Sequence, residues 1–598
     1  MKKPVSLILL LGLFLSTVAQ TEKKITILHT NDLHSRLAGY SPESAYSPLT
    51  VNDDNTVGGF ARIAAILKYE KEKNSGTTLV LDGGDFLMGT LFQSLEVKTG
   101  FQLQLMKKMG YDVVCIGNHE FDYGPEKLAD IVNASINGGG IPTVLLGNAV
   151  FNKNDVHDDS LEKLFTNNTI ERKLILNRDG LKIGFFSLLG KVADENAAFA
   201  PPVTFAKQIP FAKKMVRELQ NEKCDIIICL SHSGVSKNSE GILEGEDVEL
   251  AEKVKGIDVI ISGHTHTRLD KPIIVNGIPV VQAGEYGQFV GKLSLTYNNG
   301  NVSIEGYSLI PVDDRIPGDP DIHLLIEEQK KAISSEILKP LGMDYNTPVA
   351  EAGFLLECNE QGDIMGSNLG PMVADAIYSY VNNHNKPGTD ISMVAVGVIR
   401  DKIVPGIQTA PDIFKIMSMG SGKDDVPGYP LSRLYVTGKE LKSILEILQV
   451  AYKSTPANYC YYSGIRVEFN PDKGLLKKIM QIEIIHSDGK TSLVDFSKKN
   501  KTLYSITANS YMLEFIGIIK KMSFGLINVV PKDSGGNPVA DMKTAVIDMD
   551  EGRAGLQEGK EWLALMELIA LMKDNNGNGI PEINNKYSVP VKTFYPVK

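Results

Sequence analysis

Short apolar runs alternate with helical stretches through the first half of the chain. Each predicted strand has an apolar run that ends in a polar loop with glycine. These runs lie at residues 24–32, 77–85, 105–120, 181–190, 224–234, 257–266 and 278–287. Residues 58–73 (GGFARIAAILKYEKEK) instead carry apolar residues at helical spacing. The alternation indicates an α/β fold with layered sheets and helices.

A polar, turn-rich segment at residues 312–320 (VDDRIPGDP) marks a domain boundary. A charged helix is predicted from about Asp321 to Leu338, and a second α/β pattern begins past Pro348. A last helix, near Glu558–Lys573, carries the only tryptophan, Trp562. We expect five divisions of the chain: 1–19 signal peptide, 24–315 first domain, 316–345 linker with a helix, 346–550 second domain and 551–598 C-terminal extension.

The first residues combine a charged start, an apolar run from Val5 to Leu15 and small residues up to Ala19. This order is typical of a secretory signal peptide, and the run is short for a membrane span. We therefore expect cleavage after Ala19, a periplasmic or secreted product, and no membrane anchor after cleavage. An uncleaved anchor is the alternative.

Composition narrows the choice of partners. The 598 residues carry a net charge of −10, which disfavours nucleic-acid polymers because they require a basic face. A small anionic substrate would need local positive charge, which bound cations supply. Five cysteines form no obvious disulfide framework.

Carboxylate, amide and imidazole groups recur in the loops after the predicted strands. Seven of them are candidate metal ligands: Asp32, His34, Asp85, Asn118, His232, His264 and His266. One histidine near a strand end is usually an ordinary residue, but five such blocks in one domain indicate a site. Mixed ligands without thiolate are typical of a catalytic divalent transition-metal site.

The series DLH, GD, GNHEFD, LSH and GHTH, in this order, resembles the calcineurin-type metallophosphoesterases. The elements GGFAR, LGNA and AGEYG narrow the resemblance to the 5′-nucleotidase family, and NLGPMVADAI, GVIR, VTGKELKSILE and YSGIRVEF match it in the second half. The resemblance implies an N-terminal four-layer α/β/β/α metallophosphoesterase sandwich, a linker helix and a second, smaller α/β domain that carries the substrate.

The resemblance also implies roles for individual residues. Two divalent metal ions of the Zn, Mn or Co class would be held by Asp32, His34 and His266 and by Asn118, His232 and His264, with Asp85 bridging them. His119 and Asp122 correspond to a catalytic dyad, and Glu120 is interpreted as structural. Paired cations clamp a phosphoryl group and lower the pKa of bound water to about 7, so that hydroxide can attack phosphorus in line.

The second half departs from the family where substrate is held. Arg400 is the one matched arginine, and Ala395, Val396 and Val398 replace an asparagine and glycines. Tyr429 and Tyr511 are the nearest candidates for the two rings that sandwich a base, although ordinary packing is the alternative.

Residues Asp574–Gly579 (DNNGNG) match the start of an EF-hand-type calcium loop. Position twelve is Asn585 rather than a bidentate glutamate, so a plain glycine turn is the alternative.

The predicted function is hydrolysis of phosphate esters, with nucleoside 5′-monophosphates as the first substrate class. The alternatives are a broader phosphohydrolase, acting on 2′,3′-cyclic nucleotides, nucleotide sugars or non-nucleotide phosphates, and a non-catalytic surface binding protein. The expected partner is a small-molecule phosphate ester, and the oligomeric state is left open.

Overall fold

The computed structural model describes residues 22–598 except 239, 359–362, 425, 454, 517–528 and 551. The predicted signal peptide, residues 1–19, lies outside the described residues. Among the helices in the described part of the chain, none is long and apolar enough to cross a membrane.

The first domain contains a seven-stranded sheet. From edge to edge its strands are Asn301–Pro311, Phe289–Asn298, Lys23–Thr30, Thr77–Asp82, Val113–Cys115, Thr143–Leu145 and Ile170–Glu171. The last five are parallel, and the first two pair antiparallel at one edge. The carboxyl ends of the five parallel strands therefore lie at the same end of the sheet.

A second sheet of the same domain has six strands. They are Ile273–Val275, Ile278–Val281, Val259–Ser262, Ile226–His232, Leu181–Leu189 and Lys173–Arg178. The four central strands are parallel, and both edge strands are antiparallel.

The two sheets pack face to face, and helices cover their outer faces. Ile27 and Leu81 of the first sheet share one buried cluster with Phe185, Ile228 and Ile261 of the second. The covering helices are Phe60–Lys73, Phe101–Met109, Gly124–Gly138 and Asp159–Thr166 on the first sheet, and Gln208–Asn221 and Glu246–Lys253 on the second. The predicted four-layer α/β/β/α sandwich is confirmed.

The linker helix Pro320–Ile333 begins at a capping residue. The Asp319 carboxylate accepts hydrogen bonds from the backbone N–H groups of Asp321 and Ile322, at 3.0 and 3.1 Å, which satisfies two of the open donors of the first turn. A π-helical turn at Ser334–Leu338 continues the helix. The helical stretch thus spans the segment that the sequence predicts.

The second, smaller domain is also α/β. One four-stranded sheet has the order Leu431–Thr437, Leu503–Asn509, Ile391–Ala395, Cys460–Ser463, and another has Thr491–Leu493, Ile479–Ile485, Ile465–Phe469, Phe594–Pro596. In the part of this domain that the structure describes, the helices are Leu369–His384, Ala410–Phe414, Gly438–Ala451, Ser510–Ile516 and Glu561–Ala570. The predicted two-domain α/β organisation is therefore present.

The last helix, Glu561–Ala570, is shorter than the predicted Glu558–Lys573. Glu558 forms a β-bridge to Asp548 and Lys560 forms one to Pro430, so the helix starts only after them. Trp562 is fully buried, and its indole N–H donates to the Pro427 carbonyl at 2.8 Å. The C-terminal segment thus holds the loop that leads to Tyr429.

The candidate calcium loop forms an exposed turn closed by its own hydrogen bonds. The Asp574 carboxylate accepts from the N–H groups of Gly577 and Gly579, at 2.7 and 2.8 Å. The side-chain amides of Asn576 and Asn578 donate to Glu351, at 2.9 and 2.7 Å. Calcium binding here stays a prediction.

Candidate metal centre and active site

The structure brings the seven predicted ligands together at the carboxyl ends of the two sheets. They follow or end the strands Lys23–Thr30, Thr77–Asp82, Val113–Cys115, Ile226–His232 and Val259–Ser262. Asp32, His34, Asp85, Asn118 and His232 are each at most 2% exposed. This is the end of an α/β sheet at which ligand sites form.

Five of the seven ligands have a left-handed backbone: Asp32 (φ 51°), His34 (48°), Asp85 (54°), His264 (76°) and His266 (54°). A residue other than glycine costs roughly 1–3 kcal/mol in such a conformation. Gly84 has φ 93°, and a Cβ atom there would lie 2.8 Å from His232 Nδ1. The loops are therefore bent to aim side chains inward, and the surrounding fold must stabilise the strained conformation.

The first ligand group is Asp32, His34 and His266, whose ligand atoms lie within 4.8 Å of one another. His34 Nδ1 donates to the Met88 carbonyl at 2.9 Å, and His266 Nδ1 lies 2.5 Å from a Glu285 carboxylate oxygen. In the neutral form of both rings, each Nε2 then carries the lone pair, and the two Nε2 atoms are 3.1 Å apart. His266 Nε2 is also 3.6 Å from Asp32 Oδ1.

The second ligand group is Asp85, His232 and His264, also within 4.8 Å of one another. His232 Nδ1 donates to the Gly83 carbonyl at 2.8 Å, so that Nε2 faces Asp85 Oδ2 at 3.0 Å. Beside them, the buried Asn118 Oδ1 has no hydrogen-bond partner. Asp85 also lies close enough to His34, of the first group, for its charge to act on that ring.

These contacts test whether the residues fit metal ions. Ligand atoms converge at short distances within each group, and among the described residues the buried Asn118 Oδ1 has no hydrogen-bond partner. Such an arrangement is self-repelling unless a proton or a metal cation joins it. Imidazole with carboxylate and amide oxygen is a donor set for divalent transition metals. The site therefore fits two divalent ions.

The protonation of the ligands is compatible with metal binding. Burial lowers the pKa of His34 well below its ordinary value and that of His264 to about 3, which keeps both rings in the neutral form that binds metals. Burial also acts to lower the pKa of His232, but the carboxylates of Asp85 and Asp32 outweigh it and raise this pKa to about 10. A proton and a metal ion therefore compete for His232 Nε2.

The predicted dyad forms beside the second group. His119 Nδ1 lies 2.7 Å from Asp122 Oδ2, and the backbone N–H of His119 donates to Asp85 Oδ1 at 2.8 Å. Burial acts to lower the pKa of His119, but the charges of Asp122 and Asp85 raise it above its usual value. With Nδ1 bound to Asp122, the other ring nitrogen remains for a substrate in the cavity that His119 lines.

Glu120 binds backbone groups of the ligand loops rather than joining the ligand groups. One carboxylate oxygen accepts from the N–H of Gly117 at 2.6 Å and of Asp85 at 3.3 Å, and the other accepts from Leu87 at 2.9 Å. Its structural interpretation from the sequence therefore agrees with its contacts: it ties the loop of Asn118 to the loop of Asp85.

Other supporting residues were not predicted. Asn31 donates to Asp32 Oδ2 at 2.6 Å, and Glu285 orients His266. The Tyr286 ring lies beside the rings of His34 and His266, at 5.6 and 5.7 Å between centres. All three residues lie in or beside the sequence motifs NDLH and AGEYG. Their position next to the predicted ligands was the one sequence feature that could have indicated a supporting role.

The second domain reaches this centre through Arg400. Arg400 lines one cavity together with His119, and its carbonyl accepts a hydrogen bond from the Tyr286 hydroxyl at 3.1 Å. The next residue, Asp401, forms a buried ion pair with Arg36, and the Arg36 guanidinium lies 4.3 Å from the centre of the Tyr286 ring. Arg400 is thus held against the ligand loops.

The two candidate stacking rings lie on each other. Tyr429 and Tyr511 are parallel within 8°, with centres 5.3 Å apart, and Phe199 of the first domain packs against both. Tyr511 lines the cavity, whereas Tyr429 lies behind it and is 3% exposed. A base between two rings needs two contact distances of about 3.5 Å, or roughly 7 Å. The space between the rings is too narrow for one.

Comparison with known protein families assigns the chain to one of them. Residues 25–268 match the sequence model of the calcineurin-like phosphoesterases, and residues 351–517 match that of the 5′-nucleotidase C-terminal domain. The chain belongs to the 5′-nucleotidase family. It is accordingly a metal-dependent hydrolase, and its two ligand groups lie within the phosphoesterase match.

Relatives within the 5′-nucleotidase family match at moderate identity. The trifunctional nucleotide phosphoesterase protein YfkN of Bacillus subtilis is 28% identical over 497 residues, which are 78% of this chain but 30% of that protein. An apyrase of Aedes albopictus is 29% identical over 77% of this chain and 78% of its own length. The 5′-nucleotidase of Bos taurus is 26% identical over 81% and 82%.

Solved structures share the fold. A 5′-nucleotidase precursor from Thermus thermophilus superposes with a TM-score of 0.68 at 21% identity, over 96% of this chain and 99% of that one. A 5′-nucleotidase from Candida albicans gives 0.59 at 13% identity, over 92% and 98%. At these identities the likeness establishes the two-domain architecture alone.

Proposed function

We propose that this protein hydrolyses nucleoside 5′-monophosphates to nucleoside and phosphate at a dinuclear metal centre. The observation that carries the proposal is the pair of buried ligand groups, with the charge of Asp85 acting on His34 of the other group, beside the pair His119 and Asp122. The second domain contributes Arg400 to the same cavity. Nucleotides are the proposed class because relatives of similar length are named 5′-nucleotidases and apyrases.

Each ligand has a proposed role. Asp32, His34 and His266 would hold one ion, Asn118, His232 and His264 the other, and Asp85 both. When bound, two divalent ions of the Zn, Mn or Co class supply Lewis acidity to the phosphoryl oxygens and lower the pKa of water.

The dyad acts on the substrate side of the centre. Asp122 accepts the Nδ1 proton of His119 and thereby fixes the orientation of the ring. The opposite nitrogen, when protonated, donates to a phosphoryl oxygen or to the leaving oxygen as negative charge develops there. Because the carboxylate favours the imidazolium, the proton needed by the leaving alcohol is held in place before the bond breaks.

Arg400 would meet the anionic or polar part of the substrate from the second domain. A guanidinium offers a rigid fork of donors that suits phosphate and ribose oxygens. Its backbone carbonyl accepts a hydrogen bond from Tyr286, whose ring lies beside His34, so Arg400 is held close to the residues that would bind the metals.

The closed ring pair favours a second candidate, a broader phosphohydrolase. With Tyr429 and Tyr511 in mutual contact, these two rings leave no open slot for a base between them. Substrates of this kind would be 2′,3′-cyclic nucleotides, nucleotide sugars or non-nucleotide phosphates. The non-catalytic alternative has less support, because all seven ligands and both dyad residues are present.

We also propose that the protein is exported and that its domains have the boundaries expected from the sequence. We propose cleavage after Ala19 and action in the periplasm or outside the cell, as for a nucleotide-scavenging hydrolase. The divisions 24–315, 316–345, 346–550 and 551–598 follow the sequence analysis.

The test is a panel of phosphate esters assayed with protein reconstituted with Mn, Co or Zn. We expect the highest kcat/KM for AMP, and lower values for 2′,3′-cyclic AMP, a nucleotide sugar, ribose 5-phosphate and an aryl phosphate. His119→Ala, assayed in parallel, excludes contaminating phosphatases. If a non-nucleotide ester has a higher kcat/KM than AMP, nucleotides are not the main substrate class. If no ester in the panel is turned over, the protein is not a phosphate-ester hydrolase.

A further inference from the structure

A cavity of about 500 Å³ extends from the metal ligands into the second domain. Its near end is formed by Asp85, Asn118, His119 and Arg400. The far wall consists of aliphatic, thioether and aromatic side chains: Met393, Ile444, Leu448, Tyr511 and Met512. One end of the cavity therefore suits a phosphate group, and the other suits an apolar surface.

The polar groups of this cavity are unevenly distributed. Among the described residues that line its second-domain wall, Arg400 is the sole charged side chain. Thr455 and Asn458 add a hydroxyl and an amide to the same wall. An occupant of the far part must therefore be largely apolar, with a few hydrogen-bonding groups at its edge.

A nucleobase has these properties, since its faces are apolar and its edge carries donors and acceptors. The volume lies within the range of about 300–1,000 Å³ that is usual for small-molecule sites. Thioethers pack well against flat π systems, and Tyr511 offers a ring to the same space. The gap between Tyr511 and Tyr429, by contrast, has no room for a base.

We propose that the nucleobase of the substrate lies in this cavity, against Tyr511 and the thioethers of Met393 and Met512, and not between Tyr429 and Tyr511. This inference rests on the proposed nucleotide hydrolysis. Tyr429 then supports Tyr511 from behind, so the protein has one aromatic platform in place of a two-ring sandwich.

The test compares AMP with ribose 5-phosphate, in which a hydroxyl group replaces the base. Leu448→Trp fills the far part of the cavity. We expect it to lower the ratio of kcat/KM for AMP to that for ribose 5-phosphate at least tenfold, with ribose 5-phosphate changed less than threefold. Val450→Trp is the matched control, because Val450 is on the same helix but 39% exposed. It should leave the ratio unchanged.

The tyrosines separate the two placements of the base. If the base packs on Tyr511 alone, Tyr511→Ala should lower the ratio of kcat/KM for AMP to that for ribose 5-phosphate about tenfold, and Tyr429→Ala less than threefold. If the base lies between the two rings, both variants should lower this ratio equally. Suppose that the wild-type enzyme prefers AMP, that Leu448→Trp keeps this preference, and that both tyrosine variants lose it equally. This result would overturn the proposed base site in the cavity but not the hydrolysis of nucleotides. A wild-type enzyme without preference for AMP over ribose 5-phosphate overturns the nucleotide assignment and the base site together.

Discussion

The two sides of the active-site cavity are built differently. On the metal side, almost every side chain is fixed by a second contact: His232 by the Gly83 carbonyl, His266 by Glu285, and His119 by Asp122. On the second-domain side, the wall is formed by side chains such as Leu448 and Met512, which offer contact surface but few directional groups.

This difference indicates how the two sides can change. Metal coordination and phosphoryl transfer tolerate little displacement, because both depend on distances and angles that supporting contacts maintain. An apolar wall depends mainly on shape and volume, and thioether side chains adapt to different occupants. Changes on the metal side should therefore affect every substrate, and changes on the second-domain side should alter the choice among substrates.

Among variants that keep their bound metal, we expect His119→Ala to lower turnover most. The ring touches the substrate side, and general acid catalysis contributes about 10²–10⁴-fold, so kcat should fall by that order while metal content stays that of wild type. Kinetics on an aryl phosphate and elemental analysis of the same sample measure both quantities. His157→Ala is the control, since that ring is exposed. If His119→Ala loses its metal, His119 is a ligand and the dyad assignment is wrong.

A smaller effect is expected for Glu285→Gln, which weakens the support of His266. Carboxylates that orient a ligand histidine typically contribute 10–100-fold to metal affinity. We expect metal binding to weaken by about that factor and kcat to recover at excess metal. The exposed Glu249→Gln should change neither. An unchanged metal affinity would show that the contact at 2.5 Å does not position His266.

Arg400→Ala probes the second-domain side. We expect KM for AMP to rise roughly ten- to a hundredfold, because the variant removes charge-assisted hydrogen bonds worth roughly 1.5–3 kcal/mol. An aryl phosphate, which needs chiefly the metals, should be affected far less, and Arg400→Lys should recover only part of the loss. Equal losses on both substrates would remove the proposed distinction between the two sides.

The smallest effect concerns stability rather than turnover. Burial raises the pKa of Glu561 from 4.5 to about 8, and Asn509 donates to its carboxylate at 2.9 Å. Between these values the unfolded chain releases the proton and the folded protein keeps it, so the free energy of unfolding falls as pH rises from about 4.5 to about 8. Glu561→Gln should therefore raise Tm by a few degrees at pH 8 and leave it nearly unchanged at pH 4.5. Equal Tm differences at both pH values would show that the carboxyl does not titrate this way.

The layered fold of the first domain was readily predicted, because strand-like runs and helical spacing alternate without ambiguity around residues 24–85. Element ends were harder to place. The last helix was predicted to begin at Glu558, but β-bridges from Glu558 to Asp548 and from Lys560 to Pro430 delay its start to Glu561. Apolar spacing carries no information about such long-range pairing.

The same limit applies to the site. His34 and His266 are 232 positions apart in sequence, yet motif order was enough to predict that they share a metal site. The contact between Tyr429 and Tyr511 was not foreseeable, because it depends on how loops from distant parts of the chain pack. The apolar wall was equally hidden, since Leu448 and Met512 look like ordinary core residues in their helices.

The most direct test of the dinuclear centre is a metal titration of chelator-treated protein, with activity and bound metal measured at each addition. We predict that metal-free protein is inactive and that Zn, Mn or Co restores activity, with full turnover reached at two bound ions per chain. Asp85→Ala, which lacks the proposed bridge, should bind fewer ions and lose nearly all activity. Full activity in metal-free protein, or saturation at one ion, would contradict the account.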